Sequence, residues 1–394
     1  MDVELRPLGV KCNIACQYCY QNPQRDAGNL TKDYDLNAMK QAILEEGADS
    51  FTLFGGEALM VPEADLASLW QWGFEQFGHN AVQTNGTLIN ANHIRLFKKF
   101  NVHVGISIDG PGILNDVRWA GSLKKTRALT QKTESAIYRL CQEGLAPSII
   151  VTLHRNNATQ DKLATMREWF FRLDNMGIRK VRLHLLESDN ELVRQKYVLN
   201  ERENLTALNF FLDLEQELSA ISLDIFSEVT KLLTGQDSKT SCVWRACDPY
   251  TTNAVRGVEG FGQSSNCGRT NKDGIDFVKS EQPGYERYIA LFHTPQANGG
   301  CQGCRFFSMC KGQCPGTSIN GDWRNRTEYC AVWFKIFEKL EQQLLDAGKD
   351  PLSLSSKRSE IEAFYLEAWA NRQNPSIEYI LYLMQQKEGV NNAT

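Results

Sequence analysis

The sequence predicts an α/β chain in which parallel β-α units come first, a cysteine-rich, loop-dominated segment follows, and helices close the C-terminus. Three observations carry this reading. Short apolar runs bounded by Gly, Asn or Asp alternate with amphipathic stretches across residues 1–190. The texture changes after Ser241, where Gly, Asn, Asp, Thr and Cys become dense and helical patterns vanish as far as Cys330. Amphipathic periodicity then returns. At about 150 residues per domain, 394 residues also imply two or three domains.

The strand candidates, in order, are VELRPLG, SFTLFGG, NAVQTNG, VHVGISIDG, PSIIVTLH and RKVRLHLLE. Most have the continuous apolar character of strands covered on both faces. Between them lie NAMKQAILEEG, EADLASLWQWGFEQFG, NANHIRLFKKF, TRALTQKTESAIYRLCQEG and LATMREWFFRLDNMG, several stopping at a glycine suited to a helix C-cap. Repeated β-α units imply parallel strands and right-handed crossovers. An incomplete (β/α) barrel and an open parallel sheet both fit six such units. Residues 191–240 read as a helical linker, with ENLTALNFFLDLEQELSA its clearest periodic piece. Residues 241–346 form the cysteine-rich domain and end in the helix AVWFKIFEKLEQQLLDAG. Residues 347–394 form a C-terminal extension with one amphipathic stretch, SEIEAFYLEAWANR, and a polar tail expected to fray.

Composition narrows the function. Hydrophobic residues at 42% and charged residues at 23% allow a sizeable core and exclude wholesale disorder. Net charge is −4 with both signs interspersed, which argues against a nucleic-acid partner. No run of about 18 apolar residues marks a membrane span. The N-terminus MDVELRPLGVKC lacks the pattern of a secretory signal, so a cytoplasmic location and reduced thiols are expected. The 12 cysteines then point to metal rather than disulfides.

Cys12, Cys16 and Cys19 form C-x3-C-x2-C directly after the first predicted strand. Three thiolates on one loop can hold three irons of a 4Fe–4S cube and leave the fourth open for chemistry. A structural zinc loop with a fourth ligand elsewhere satisfies the spacing equally well. CNIACQYC, with Tyr18 before the third cysteine, resembles the signature of the radical S-adenosylmethionine (SAM) superfamily. FGGEALM resembles that family's GGE motif, so Gly55, Gly56 and Glu57 are implied to receive the methionine amino group. QTNGTLI, with Asn85, and VGISIDGP resemble the family's third and fourth strand ends, where Ser107 is implied as a ribose contact. Asp116 and Arg118 in NDVR resemble a pattern written HD-x-x-R, with Asn115 in place of the histidine. Taken alone, Arg118 reads as a surface ion-pair partner. VTLHRNN resembles the fifth strand end, where Leu153 is implied to pack near adenine. The order of these matches on successive strand ends gives them their weight. The resemblance turns the expected fold into a partial parallel (β/α)6 barrel.

The second array reads Cys247, Gly262, Cys267, then Cys301, Cys304, Cys310 and Cys314 as C-x2-C-x5-C-x3-C, then Cys330. It resembles the SPASM signature of a large branch of radical SAM enzymes. With Cys242 added, eight thiolates suffice for two auxiliary 4Fe–4S clusters. By analogy with that branch, Cys242, Cys247, Cys267 and Cys314 hold the first, and Cys301, Cys304, Cys310 and Cys330 the second. Cys141 is left over, as a small core residue.

The resemblance implies reductive cleavage of SAM to a 5′-deoxyadenosyl radical that abstracts hydrogen from a ribosomally made precursor peptide. The outcomes known in the branch are cross-link formation, oxidation, epimerisation and tyramine-excising splicing. Anaerobic sulfatase (formylglycine) maturation and small-molecule dehydrogenation are the neighbouring alternatives. A non-catalytic Fe–S electron carrier is the alternative of another class. Only 11 residues precede Cys12, so a separate leader-peptide recognition protein is expected, with a flavodoxin or ferredoxin as electron donor. Arg182 and His184 share one face of the sixth strand by period two; Arg118, His184, Glu187 and Asp248 are the candidate catalytic groups, while Tyr20, Gln21 and Tyr250 border the cysteines.

Overall fold

The computed structural model describes residues 2–26, 33–188, 190–247, 255–269 and 282–391. They sort into two compact units. The first holds residues up to 224 together with 255–269.

In that unit β1 (Asp2–Arg6) leads through α1 (Asn22–Asp26) and α2 (Leu36–Glu45) to β2 (Ser50–Leu53). α3 (Glu63–Phe77), β3 (Asn80–Thr84), α4 (Ala91–Lys99), β4 (Val102–Ser107), α5 (Leu123–Gln142), β5 (Ser148–Leu153), α6 (Leu163–Asn175) and β6 (Lys180–Leu185) follow in strict alternation. All six predicted strands are present. α7 (Glu191–Tyr197), α8 (Glu201–Glu215) and the short β7 (Ser222–Leu223) extend the series, and β8 (Val255–Glu259) and β9 (Ser264–Ser265) return to it. The sheet order is β7-β6-β5-β4-β3-β2-β1-β8-β9, parallel from β7 to β8, with β9 antiparallel. Strands adjacent in sequence lie side by side, as short crossovers demand. Among the described residues β7 and β9 are the outermost strands and do not pair with each other, so the barrel is incomplete.

Period-two burial organises the strands. Val3 and Leu5, Phe51 and Leu53, Ile149, Val151 and Leu153, and Val181, Leu183 and Leu185 all turn to the fully buried face. Trp70 of α3, Phe97 of α4, Phe170 of α6 and Phe211 of α8 are wholly covered. Each such side chain contributes about 1.5–3 kcal/mol relative to exposure, so packing rather than helix propensity holds the outer layer. The termini are locally encoded: Asp35 accepts from the N–H groups of Asn37 and Ala38 to cap α2, Asn90 and His93 form a capping box on α4, and Gly78 at φ 74° ends α3.

The second unit begins in α9 (Asp224–Leu233) and continues with α10 (Glu286–His293), α11 (Phe307–Cys310), α12 (Cys330–Asp346), α13 (Arg358–Ala370) and α14 (Ile377–Asn391). Its core is aromatic: Trp244 meets Trp333 and Phe337 edge-on, and Tyr365 stacks on Trp369 at 4.8 Å between centroids. Two buried carboxylates are matched. Glu228 accepts from Ser241 and the Trp244 indole N–H, and Asp237 Oδ1 accepts the Ile377 N–H at 2.7 Å, where α14 starts.

Four expectations change. Residues 191–240 are no linker, because α8 packs on α6 and β7 joins the sheet. The cysteine-rich segment is not one domain, because residues 255–269 add β8 and β9 beside β1. Helices do not vanish there, since α10 and α11 lie within it, and the C-terminal tail forms α14. β8 escaped notice because VRGVE is short and interrupted by Gly257, whose missing side chain lets Ser265 of β9 and Arg6 of β1 approach.

Candidate functional site

The loop after β1 carries Cys12, Cys16 and Cys19 past the C-terminal edge of the sheet, where ligands bind in parallel α/β folds. Three sets of contacts hold it. Ala15 N–H donates to Trp119 O at 2.7 Å, and Gln17 N–H to Val117 O at 2.9 Å. The GGE turn pairs with it backbone to backbone, Gly56 N–H to Gly9 O at 3.0 Å and Glu57 N–H to Lys11 O at 2.9 Å. From the end of β3, the Asn85 amide reaches Asn13 Oδ1 at 2.8 Å and Cys12 Sγ at 3.9 Å.

The two glycines are required by this approach. A Cβ on Gly56 would stand 2.2 Å from Lys11 O and 2.4 Å from Val10 O, and Gly55, at φ +124°, would meet Gly9 O at 2.6 Å. Gly56→Ala is expected to push the cysteine loop away at a cost of about 1–3 kcal/mol, the range for an overpacked site. SAM affinity and iron content of the reconstituted variant should fall together; wild-type values for both would refute the role given to this contact.

The Glu57 side chain ties the turn to the end of β3. The carboxylate is buried and accepts from Thr84 Oγ1 at 2.6 Å, Leu59 N–H at 3.0 Å and Asn85 N–H at 2.8 Å. Burial pushes its carboxyl pKa up, against the pull of those three donors. Ser107 Oγ accepts from Gln83 at 2.8 Å, and Leu153 lies wholly buried on the face of Ile149 and Val151.

Behind the cysteine loop lies a buried ionic network that sequence reasoning missed. Tyr18 donates to Asp109 Oδ2 at 2.6 Å and receives Arg118 Nη1 at 2.9 Å. His154 Nδ1 accepts the Asn156 N–H, which leaves the ring proton on Nε2, 3.4 Å from Asp109 Oδ2. Thr152 N–H donates to Asp109 Oδ1, and Asn157 donates to Asp109 O. Burial alone would raise the Asp109 carboxyl, but His154, Arg118 and Tyr18 together hold it below its usual range. Arg118 is therefore no surface residue: its side chain is 12% exposed and its charge faces Cys16. Burial pushes the Cys16 thiol up to about 12 and the guanidinium pulls against this, favouring the thiolate that metal binding needs. Asp116 instead meets Arg127 at the surface, while Asn115 closes the SIDG turn by accepting the Asp109 N–H and donating to Thr130. Asp109 and His154 sit inside motifs that do stand out, VGISIDGP and VTLHRNN; the available signal was a charged residue at the end of a buried strand.

At the end of β6, Arg269 bonds His184 Nδ1 at 2.9 Å and Glu187 at 3.1 Å. An arginine only donates, so Nδ1 accepts and neutral His184 carries its proton on Nε2. Burial, then the charges of Arg269 and Arg182, hold its pKa well below the usual value. His184 is thus a hydrogen-bond donor whose Nδ1 lone pair is already used. Arg182 pairs with Asp224. Tyr20 lies with its ring against the backbone of Gly268, one residue after Cys267. Gln21 is buried beside it in sequence, and Cys141 sits half-buried on α5. Asp248 and Tyr250 lie outside the described residues.

In the second unit, Cys301, Cys304, Cys310 and Cys330 lie within electrostatic range of one another. Burial first, then negative charge at Cys330, Cys301 and Cys304, drives the Cys310 thiol well above its usual value. Arg287, 2% exposed, ties this region together by donating to Trp323 O, Gln313 O and Asn325 O. Tyr288 donates to Cys247 O at 2.8 Å and feels the charges of Cys247 and Cys314. Cys242 opens a short 3-10 turn in the same unit, and Cys267 follows β9 in the first unit. Among the described residues no three such side chains stand in closed metal-ligand geometry. The donor sets, soft and clustered, nevertheless fit Fe–S ligation by chemistry.

Fold and site together define a parallel α/β domain that holds a three-cysteine loop against a Gly-Gly-Glu turn. Residues 7–170 match the Radical SAM superfamily profile. It is 34% identical over 131 residues to a serine-type anaerobic sulfatase-maturating enzyme of Bacteroides thetaiotaomicron, covering 29% of this chain and 30% of that protein. It is 28% identical over 206 residues to the Klebsiella aerogenes enzyme of the same name, covering 50% and 49%. The chain thus matches half or less of each relative's length. In structure it resembles native anSMEcpe with bound AdoMet and Cp18Cys peptide, with a TM-score of 0.67 and 18% identity over 88% of this chain and 98% of that one. Streptococcus suis SuiB bound to precursor peptide SuiA follows at a TM-score of 0.54 and 13% identity, over 84% and 75%. These likenesses show the fold. Among the described residues no helix is long and apolar enough to cross a membrane.

Proposed function

We propose that this protein is a radical SAM maturase that modifies a ribosomally made precursor peptide. One observation carries the reading: three thiols share a single loop, held by backbone contact to Gly55-Gly56 and by Asn85, with the Arg118 cation facing Cys16. A redox carrier has no use for a glycine turn and a strand-end amide converging on an incomplete thiol set. Cys12, Cys16 and Cys19 would hold the SAM-binding cluster, and the remaining eight ligand cysteines two auxiliary clusters in the sets assigned from sequence. When bound, cluster and SAM supply reductive cleavage and hydrogen abstraction from an unactivated carbon. The chain's own residues hold and orient. Arg118, fixed by Tyr18 and Asp109, offsets thiolate charge; the Glu57 carboxylate keeps the turn on the end of β3. His184, locked by Arg269, offers an Nε2–H donor suited to a peptide carbonyl. A flavodoxin or ferredoxin would supply electrons, and a separate protein would recognise the leader.

A second reading, maturation of a sulfatase to formylglycine, is favoured by the relatives' names. Anaerobic incubation of the reconstituted protein with SAM, dithionite and a sulfatase-derived peptide separates the two. Loss of two hydrogens from its serine, read by mass spectrometry, would establish sulfatase maturation. An unchanged peptide, alongside modification of a precursor peptide, is the result expected here.

A further inference from the structure

Arg326 lies four residues before Cys330, outside every motif in the sequence reading. Its backbone N–H donates to Gly299 O at 2.9 Å, and its Nη1 donates to Gln296 O at 2.6 Å and Gly300 O at 2.5 Å. These three carbonyls belong to the turn that leads into Cys301, so one side chain joins the segments carrying Cys301 and Cys330. Nη1 is saturated. Nε, by contrast, is buried and has no hydrogen-bond partner. Its guanidinium faces the Cys330 side chain, and Gly300, whose carbonyl it holds, directly precedes Cys301.

An unmatched, buried N–H on a charged group is costly to keep and calls for an acceptor. Among the described residues none accepts from Nε, whereas a cluster at these four cysteines would present thiolate sulfur beside it. We propose that Arg326 is a positioning residue that sets the reduction potential of the second auxiliary cluster. It does so through a fixed positive charge and an N–H directed at the cluster's sulfur ligands. The inference rests on the assignment of Cys301, Cys304, Cys310 and Cys330 to that cluster. Reduction adds one electron to the cluster and leaves all four thiolates in place. A cation and an N–H donor stabilise that added negative charge, so they raise the potential. Arg305 also reaches Cys304, but it is engaged with Glu338 and Glu341, which neutralise it. Among the described residues no carboxylate pairs with Arg326.

The test uses full-length protein, reconstituted anaerobically, in a Cys12→Ala/Cys16→Ala/Cys19→Ala background so that auxiliary signals alone remain. Electron paramagnetic resonance follows a redox titration, with iron per chain measured beside it. In Arg326→Gln one of the two couples should move to a more negative potential while the other stays. At fixed potential its reduced-to-oxidised ratio should drop about tenfold, equivalent to about 59 mV for one electron. Arg326→Lys, which keeps the charge but loses the planar fork, should shift the couple less. Full iron with an unmoved couple in both variants would overturn the proposal. So would loss of that cluster's iron in both, because Arg326 would then be a structural brace. Loss in Arg326→Gln alone, with a retained and lowered couple in Arg326→Lys, supports it. The parent assignment fails separately, if Cys310→Ala in the same background leaves iron and both couples unchanged.

Discussion

Replacing Cys12, Cys16 and Cys19 together by alanine is expected to abolish anaerobic 5′-deoxyadenosine formation from SAM. Bound iron should fall from about twelve to about eight per chain, the difference of one 4Fe–4S cube. The argument is local. The three residues share one loop, and charge on each thiol raises the pKa of Cys16, which places them within reach of a common metal group. Their loop hangs on backbone bonds to Gly56, Glu57, Val117 and Trp119, none of which needs a cysteine side chain. The variant should therefore keep its fold and its remaining iron, and circular dichroism should match wild type. Liquid chromatography of the reaction products decides the matter. A wild-type protein with full iron that forms no 5′-deoxyadenosine, with or without peptide, would return the electron-carrier reading to first place.

The barrel was legible because its physics is local and periodic. Val3 and Leu5, or Val181, Leu183 and Leu185, alternate in a pattern that sequence displays directly, and caps such as Asp35, Asn90 and Gly78 sit where the chain turns. The three-cysteine loop was legible for the same reason. What failed was long-range. β8 pairs with β1 across some 250 positions of chain, and nothing in VRGVE announces that partner. The Asp109 network was hidden in the same way. Its members come from the cysteine loop, the end of β4, the turn after it and the end of β5, and each alone has a plain explanation. Arg118 read alone is a surface arginine; only the packing of Tyr18 against His154, 5.8 Å between ring centroids, makes it a buried one. Arg269 is a further case, since a residue two positions past Cys267 gives no sign that it meets β6.

Asp109→Asn should be among the most destabilising single substitutions in the protein, although it changes almost no volume. The wild-type carboxylate is fully buried and accepts on both oxygens, from Tyr18 on one and from Thr152 N–H on the other, with His154 Nε2 3.4 Å from the first. Asparagine can keep the Thr152 bond through its carbonyl. Its amide then turns N–H groups toward the Tyr18 hydroxyl and His154 Nε2–H, setting donor against donor, and Arg118 loses the carboxylate 3.9 Å from its Nη1. Removing one partner of a buried ion pair costs about 3–5 kcal/mol, because the remaining charge stays desolvated. The denaturation midpoint of the first unit should fall by a matching amount at pH 7. The sign of the pH dependence follows from the depressed carboxyl pKa. Its contribution is fully present above the usual aspartate value of 3.8 and is lost as pH falls through the lower folded value. The gap between wild type and Asp109→Asn should therefore hold constant from pH 7 to about 5 and close only below about pH 4. Because Tyr18 stands between Cys16 and Cys19, the variant should also lose iron from the three-cysteine loop first. A midpoint within about 1 kcal/mol of wild type, the worth of an ordinary hydrogen bond, would mean that the network is incidental and that Arg118 finds its counter-charge elsewhere.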